Sequence, residues 1–118
     1  MSITKTAEWA KLSDLAKTVG QSSIRAAFQA DPARFDKFNL KLNEDGNELL
    51  FDFSKNRIDE SVMAELRNLA KVANVEEMKK KMFNGEKINF TEDRAVFHVA
   101  LRHQGASNFQ IKSKKINK

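Results

Sequence analysis

Three basic residues, Arg94, His98 and Arg102, are spaced four residues apart and are the first candidates for a functional site. On a helix this spacing places them in one stripe, which could bind an anion or an acidic segment of a partner. The same stripe is typical of the polar face of a mostly buried helix whose arginines pair with acidic neighbours. We favour the second interpretation, because a catalytic histidine needs its reacting partner within hydrogen-bond reach and spacing alone does not supply that geometry.

A set of carboxylates, Asp52, Asp59 and Glu60, is the second candidate, since paired carboxyl groups can act as acid and base. Asp59, however, stands where a helix N-cap is expected. Asp52 alternates away from the apolar face of a predicted strand. Local structural roles therefore explain these residues better than catalysis does.

A third candidate is the turn Asn84, Gly85, Glu86 and Lys87, whose glycine could expose backbone N–H groups to an anion. Phosphate loops place their glycines before a helix, whereas Gly85 follows one, so we interpret it as a helix end. The chain has no cysteine, which excludes disulfides and thiolate chemistry. The sequence therefore predicts no catalytic, cofactor-binding or metal-binding residue.

Lysines are concentrated in residues 79–81 and 112–118, within a chain of formal net charge +5. Both clusters are typical of solvated surface, and Met78 and Met82 are typical of helix packing. The alternative for residues 112–118 is weak attraction to phosphate or to an anionic membrane. We expect no specific nucleic-acid site, because such a site needs basic residues on a folded face with aromatic side chains free to stack.

The first part of the chain is predicted to be helical. Apolar residues predict a helix over 6–19, with Gly20 as its stop. A second helix starts after Ser22 or Ser23. A short third one is capped by Asp31 with Pro32 in its first turn, and it turns Phe35 and Phe38 inward.

From residue 40 the apolar period changes from helical to alternating. Leu40 and Leu42 precede a turn at residues 44–47, and the alternation resumes at Leu49, Phe51 and Phe53. This arrangement predicts a β-hairpin. Two strands alone are marginal in water, so the apolar face must pack on helices or join a further sheet.

The remaining segments predict helices. Asp59 caps a helix that extends to Ala73, and Asn74 ends it and starts another, which Gly85 ends. Thr91 then caps a last helix over residues 92–103. The expected fold class is α+β, mainly helical with one β-hairpin.

The composition is that of a globular chain of 118 residues, 41% hydrophobic and 31% charged, which fits one domain. No run approaches the roughly 18 to 20 apolar residues of a membrane span, and the first residues lack the apolar segment of a secretory signal. We therefore expect a cytoplasmic protein.

Three motifs resemble the amino-terminal region of the glucose-6-phosphate isomerase family. They occur in order at residues 51–56 (FDFSKN), 69–71 (LAK) and 82–102 (MFNGEKINFTEDRAVFHVALR). The likeness covers about residues 5–104, leaving residues 105–118 as a lysine-rich tail. It implies that residues 1–104 are a single incomplete domain, the amino-terminal part of a larger α/β sugar-isomerase fold.

The resemblance also implies a function for the parent protein, which would interconvert glucose 6-phosphate and fructose 6-phosphate in glycolysis and gluconeogenesis without metal or organic cofactor. The family's catalytic motifs lie downstream of the matched region, so no site residue transfers to a position in this sequence. The leading hypothesis is an architectural amino-terminal fragment, inactive alone, whose partner is the remaining isomerase polypeptide.

Two other hypotheses remain. The chain could be a non-catalytic binding module that uses the same surface for another protein or for an oligomer. An independently active isomerase of 118 residues is the less favoured of the two, because the family's catalytic motifs are not recognisable in this sequence.

Overall fold

The computed structural model describes residues 2–96 and 98–102, and the chain divides between Leu69 and Ala70 into two compact units. The described residues are mainly helical with one antiparallel hairpin, which confirms the predicted α+β class. None of the helices in this part of the chain is long and apolar enough to cross a membrane. The elements are α1 (Ala7–Thr18), α2 (Ile24–Ala30), α3 (Arg34–Lys37), β1 (Asn39–Glu44), β2 (Asn47–Asp52), α4 (Glu60–Val72), α5 (Val75–Phe83) and α6 (His98–Leu101), with short 3₁₀ turns at Ile3–Lys5 and Val19–Gln21.

The first helix, α1, begins at the predicted place. Its N-cap is Thr6, whose hydroxyl oxygen accepts a hydrogen bond from the Trp9 N–H. The predicted glycine stop is wrong, because Gly20 lies inside a 3₁₀ turn and is not left-handed. Both the N–H and the hydroxyl of Ser22 donate to the Val19 carbonyl, so this turn ends without a glycine cap.

The start of α3 differs from its prediction. Asp31 does not cap a helix that begins at Pro32. Its carboxylate accepts the Ala33 N–H at 3.1 Å, which forms a turn, and α3 starts only at Arg34. Phe38 is buried as predicted, but Phe35 is 38% exposed.

The predicted hairpin is confirmed, with Leu40 opposite Phe51 and Leu42 opposite Leu49. Its two turn residues, Asp45 and Gly46, both have positive φ, at 51° and 79°. These values are those of a type I′ turn, whose twist matches that of antiparallel strands. The turn therefore sets the register that places the apolar residues on one face.

Helix α4 starts with the predicted cap, since the Asp59 carboxylate accepts the Val62 N–H at 2.9 Å. In the second unit, Asn74 is left-handed, with a φ of 58°, at the junction between α4 and α5. Gly85, with a φ of 65°, closes α5: its N–H bonds to the Met82 carbonyl and the Glu86 N–H to the Lys81 carbonyl. These two hydrogen bonds form a Schellman motif, so the predicted glycine stop is confirmed here.

The predicted last helix over residues 92–103 is wrong at residues 92–96. Asn89 and Arg94 pair through two backbone hydrogen bonds and enclose a tight turn, and the described helix α6 begins at His98. The Asn89 side-chain oxygen takes the Thr91 hydroxyl and the Glu92 N–H, so Thr91 does not act as a cap. The hydrogen bonds to the Asn89 side chain thus favour a turn where the helix was predicted to start. Residue 103 lies outside the described residues.

The cap of α4 predicts a measurable stability effect. Replacing Asp59 with Ala leaves the Val62 N–H without its acceptor and should lower the free energy of unfolding by about 1 kcal/mol. Asp59→Asn keeps an acceptor oxygen and should lose less than half as much. Urea unfolding followed by circular dichroism measures both, and equal losses would contradict the cap's role.

Candidate functional site around a buried arginine

The first unit contains a buried cation, Arg34, which is only 4% exposed. A buried charge is the first place to look for a functional site. Its Nε donates to the Ser54 carbonyl at 2.8 Å. Its Nη2 donates to the carbonyls of Asn56 and Ile58 at 2.9 and 2.8 Å. One side chain of α3 thus holds the whole loop between β2 and α4.

Aromatic rings surround the same guanidinium. Its carbon lies 4.8 Å from the centre of the Phe38 ring and 5.7 Å from that of Phe28. The Phe53 ring meets Phe38 edge to face at 6.3 Å. Among the described residues, no carboxylate oxygen lies within 4.0 Å of Arg34. Carbonyl oxygens and ring faces are therefore its direct partners, which is an arrangement for holding structure.

The loop that Arg34 holds begins with a small network centred on Asp52. Ser54 is completely buried, and its N–H and hydroxyl both donate to Asp52 Oδ1, at 2.9 and 2.6 Å. Lys55 pairs with the other carboxylate oxygen. Hydrogen bonds from Lys55 and then Ser54 lower the pKa of Asp52 to about 2. Asp52 is thus a stable anion near neutral pH, which is unfavourable for a general base.

Next to the buried arginine lies an open groove of about 430 Å³. Lys37 crosses it, with Nζ 2.8 Å from Asp31 and 3.4 Å from Glu60. The hydrogen bond from Lys37 lowers the pKa of Asp31, and the bonds to Asp31 and then Glu60 raise the pKa of Lys37. The groove is lined by Ala27, Ala30, Asp31, Arg34, Lys37, Phe38, Asp59, Glu60 and Ser61.

The predicted carboxylate candidates are therefore separated by role. Asp59 and Glu60 line the groove, whereas Asp52 belongs to the loop network. Burial raises the pKa of Asp59, but hydrogen bonds from Ser61 and Val62 outweigh this effect and the pKa is lowered. Lys37 pairs with two of the three carboxylates that line the groove, so this arrangement can bind polar groups. The lowered pKa values of Asp31 and Asp59 make both poor general bases.

The predicted basic stripe does not form. Arg94 lies in the Asn89–Arg94 turn, where it donates to Glu92, while His98 starts α6 and Arg102 follows its end. The three residues do not share one helix, because Arg94 belongs to a turn instead. The prediction of a helical polar face is therefore wrong. The alternative, a basic stripe that binds an anion or an acidic segment, required the same helix and is not supported either.

The other predicted surface features have local partners or lie outside the described residues. Lys79 pairs with Glu76, and Lys81 with Glu77, along α5. Lys87 pairs with Asp93. Residues 112–118 lie outside the described residues. Within residues 2–96 and 98–102, no group of three or more His, Asp or Glu side chains is arranged to hold a metal ion.

Sequence reasoning missed the buried arginine. Apolar periodicity predicted Phe35 and Phe38 as inward-facing, but no periodicity marks a charged residue such as Arg34 for burial. Phe28 and Phe38 flank it at distances of six and four residues, which was the available signal. Its three carbonyl partners are 20 to 24 residues away and have no sequence signature.

These observations define a class of protein: a helical segment with one hairpin, whose charged side chains hold its structure together. Comparison with known proteins makes the class specific. The sequence pattern of the phosphoglucose isomerase family matches residues 52–117, more than half of the chain. The chain belongs to the phosphoglucose isomerase family.

Individual relatives agree with this assignment. The chain is 44% identical to the glucose-6-phosphate isomerase of Eremothecium gossypii over 92% of its own length and 20% of the relative's. It is 48% identical to that of Candida glabrata over 87% and 19%, and 46% identical to that of Pseudoalteromonas translucida over 83% and 17%. The match lies in the amino-terminal region, so the chain spans about a fifth of the length of these relatives.

Because the guanidinium of Arg34 donates three hydrogen bonds in fixed directions, we predict that lysine is a poor replacement. In Arg34→Lys a single ammonium cannot bond three carbonyls in fixed directions, so we expect a loss of about 2–4 kcal/mol in the free energy of unfolding. Urea unfolding followed by the fluorescence of Trp9, the single tryptophan, measures it. The matched control is Arg25→Lys on the exposed side of α2, with a change within about 0.5 kcal/mol. Similar small changes in both variants would contradict the role of Arg34.

The Asp52 network predicts a pH dependence. Because the folded-state pKa lies near 2 and the ordinary value is 3.8, the carboxylate contributes stability above about pH 4 and loses it as the pH falls toward 2. Asp52→Asn should remove this part of the acid dependence. Carbon-detected NMR titration of the Asp52 carboxyl measures the pKa directly, and a value near 3.8 would contradict the network.

Proposed function

We propose that this chain is the amino-terminal structural segment of a glucose-6-phosphate isomerase. The parent enzyme interconverts glucose 6-phosphate and fructose 6-phosphate in glycolysis and gluconeogenesis, in the cytoplasm. The observation that carries the proposal is the identity of 44–48% to the amino-terminal fifth of such enzymes. In this role residues 1–104 are the isomerase-like segment and residues 105–118 are a lysine-rich tail.

The role of the segment is architectural, and it is inactive alone. Aldose–ketose isomerisation needs a base within reach of the substrate carbon and groups that hold the phosphate. The prominent charged groups of the first unit serve other purposes: Arg34 holds the loop after β2, Asp52 anchors Ser54, and Asp59 caps α4. Such assignments support a scaffold that positions other parts of the enzyme.

The alternative is a non-catalytic binding module derived from the same segment. The apolar hairpin residues are compatible with it, since side chains about half exposed can bind another protein as well as the remaining isomerase polypeptide. The two functions differ in what the segment supports. A scaffold restores an isomerase, whereas a binding module acts without one.

A chimeric enzyme tests the proposal. The matched amino-terminal region of the Eremothecium gossypii glucose-6-phosphate isomerase is replaced by the matched region of this chain, and turnover of fructose 6-phosphate is measured. We expect turnover within about tenfold of the intact relative and none above background for the chain alone, because only the chimera has a complete site. The relative without its amino-terminal region is the control.

Two outcomes would overturn the proposal. A folded chimera without turnover would show that this segment does not serve as an isomerase scaffold. Turnover by the purified chain, lost when its own residues are changed, would show that the chain is itself an enzyme.

A further inference from the structure

The hairpin carries an apolar face that begins in the core and continues into solvent. The register of β1 and β2 pairs Leu40 with Phe51 and Leu42 with Leu49. Extending it by one step toward the strand ends pairs Phe38 with Phe53, whose N–H donates to the Phe38 carbonyl at 3.0 Å. Because side chains alternate between faces, these three pairs belong to one face. We call this set of residues 38, 40, 42, 49, 51 and 53 the apolar ladder.

Among the described residues, one end of the ladder is covered and the rest is exposed. Phe38 is 4% exposed and packs against Phe53 and the Arg34 guanidinium. The two outer pairs are about half exposed, at 52% for Leu40, 48% for Phe51, 47% for Leu42 and 54% for Leu49. A two-stranded sheet with an uncovered apolar face is marginal in water, so the outer pairs are built for a covering layer.

The opposite face of the hairpin is different. Its pairs are Asn39 with Asp52, Lys41 with Leu50, and Asn43 with Glu48. Five of these six side chains are polar or charged, which is typical of the solvent side of an antiparallel sheet. The covering layer therefore belongs on the ladder side alone.

We propose that the outer pairs of the apolar ladder are the docking surface for the polypeptide that its relatives carry beyond the matched region. The proposal rests on the proposed function and names the surface through which the scaffold acts. The matched region accounts for about a fifth of the relatives, so most of their chain is available as the covering layer. The partner surface is apolar, and it continues the core that Phe38 and Phe53 begin.

A second copy of the chain is a weaker occupant. Four half-exposed side chains offer an apolar area on the order of a few hundred Å², whereas a stable dimer buries about 800 Å² on each partner. The area suits the packing of one hairpin on an adjacent layer within a larger protein. Because the outer pairs continue the buried core around Phe38, a permanent contact like those of a protein interior is favoured.

Cysteine labelling tests the proposal, and the chain offers a matched pair of positions. Leu49 and Leu50 are neighbours on β2, are 54% and 43% exposed, and face opposite sides. The chain has no native cysteine, so Leu49→Cys and Leu50→Cys each introduce one reporter. The probe is iodoacetamide, quantified by mass spectrometry of the hairpin peptide, in the chain alone and in the active chimera.

We expect both positions to react at similar rates in the chain alone. In the chimera, Leu49→Cys should react at least about tenfold more slowly while Leu50→Cys changes by less than about threefold, because a covered thiol reacts only when the structure opens. Leu42→Cys, opposite Leu49, is a second reporter with the same expectation. Loss of a folded chimera at positions 49 and 42, with the position 50 variant intact, would also support the docking surface.

Other results would overturn the inference in distinguishable ways. An active chimera in which position 49 stays as reactive as position 50 would leave the isomerase assignment standing and remove the docking surface. Protection of position 49 already in the chain alone would show that this chain, or a second copy of it, covers the ladder. A folded wild-type chimera without turnover would overturn the proposed function itself.

Discussion

The guanidinium of Arg34 is the contact on which the fold of the first unit depends. It joins α3 to three carbonyls of the loop that precedes α4, and it lies against the Phe28 and Phe38 rings. A buried charge is costly unless donors find acceptors, and three carbonyls meet that requirement without a carboxylate. The loop in turn presents its carbonyls in the required directions because Ser54 is fixed on Asp52.

This contact also explains how the hairpin is attached. Phe38 is at once a ring beneath the guanidinium and the first member of the apolar ladder, so one buried residue connects the loop, α3 and the sheet. The strands leave this anchor with their register set by the type I′ turn at the other end. Between anchor and turn the described residues supply no layer that covers the apolar side. This uncovered apolar side is the observation behind the proposed scaffold role.

Most ion pairs of the described residues join groups within six residues of each other in sequence. Lys37 lies between Asp31 and Glu60, Lys55 pairs with Asp52, and most other ion pairs join residues of one helix or turn. Exposed pairs of this type contribute little stability each, since solvent screens them and long side chains lose freedom. Their effect is to fix local geometry and, in the groove, to pair two of its three carboxylates with Lys37.

The sequence by itself determined what depends on neighbours along the chain. The caps at Thr6 and Asp59, the Asp45–Gly46 turn and the helix end at Gly85 join groups within a few residues, and the family motifs are equally local. Local rules failed where two of them competed, as when the Asn89 side chain formed a turn in place of the predicted helix.

Only the tertiary structure decided which charge is buried and which apolar face is exposed. The partners of Arg34 lie 20 to 24 residues away, and its burial depends on where the chain brings their carbonyls. Leu42 and Phe38 belong to the same alternating pattern, yet one is half exposed and the other is buried. The physical reason is that periodicity specifies a face, whereas burial requires a second surface packed against it.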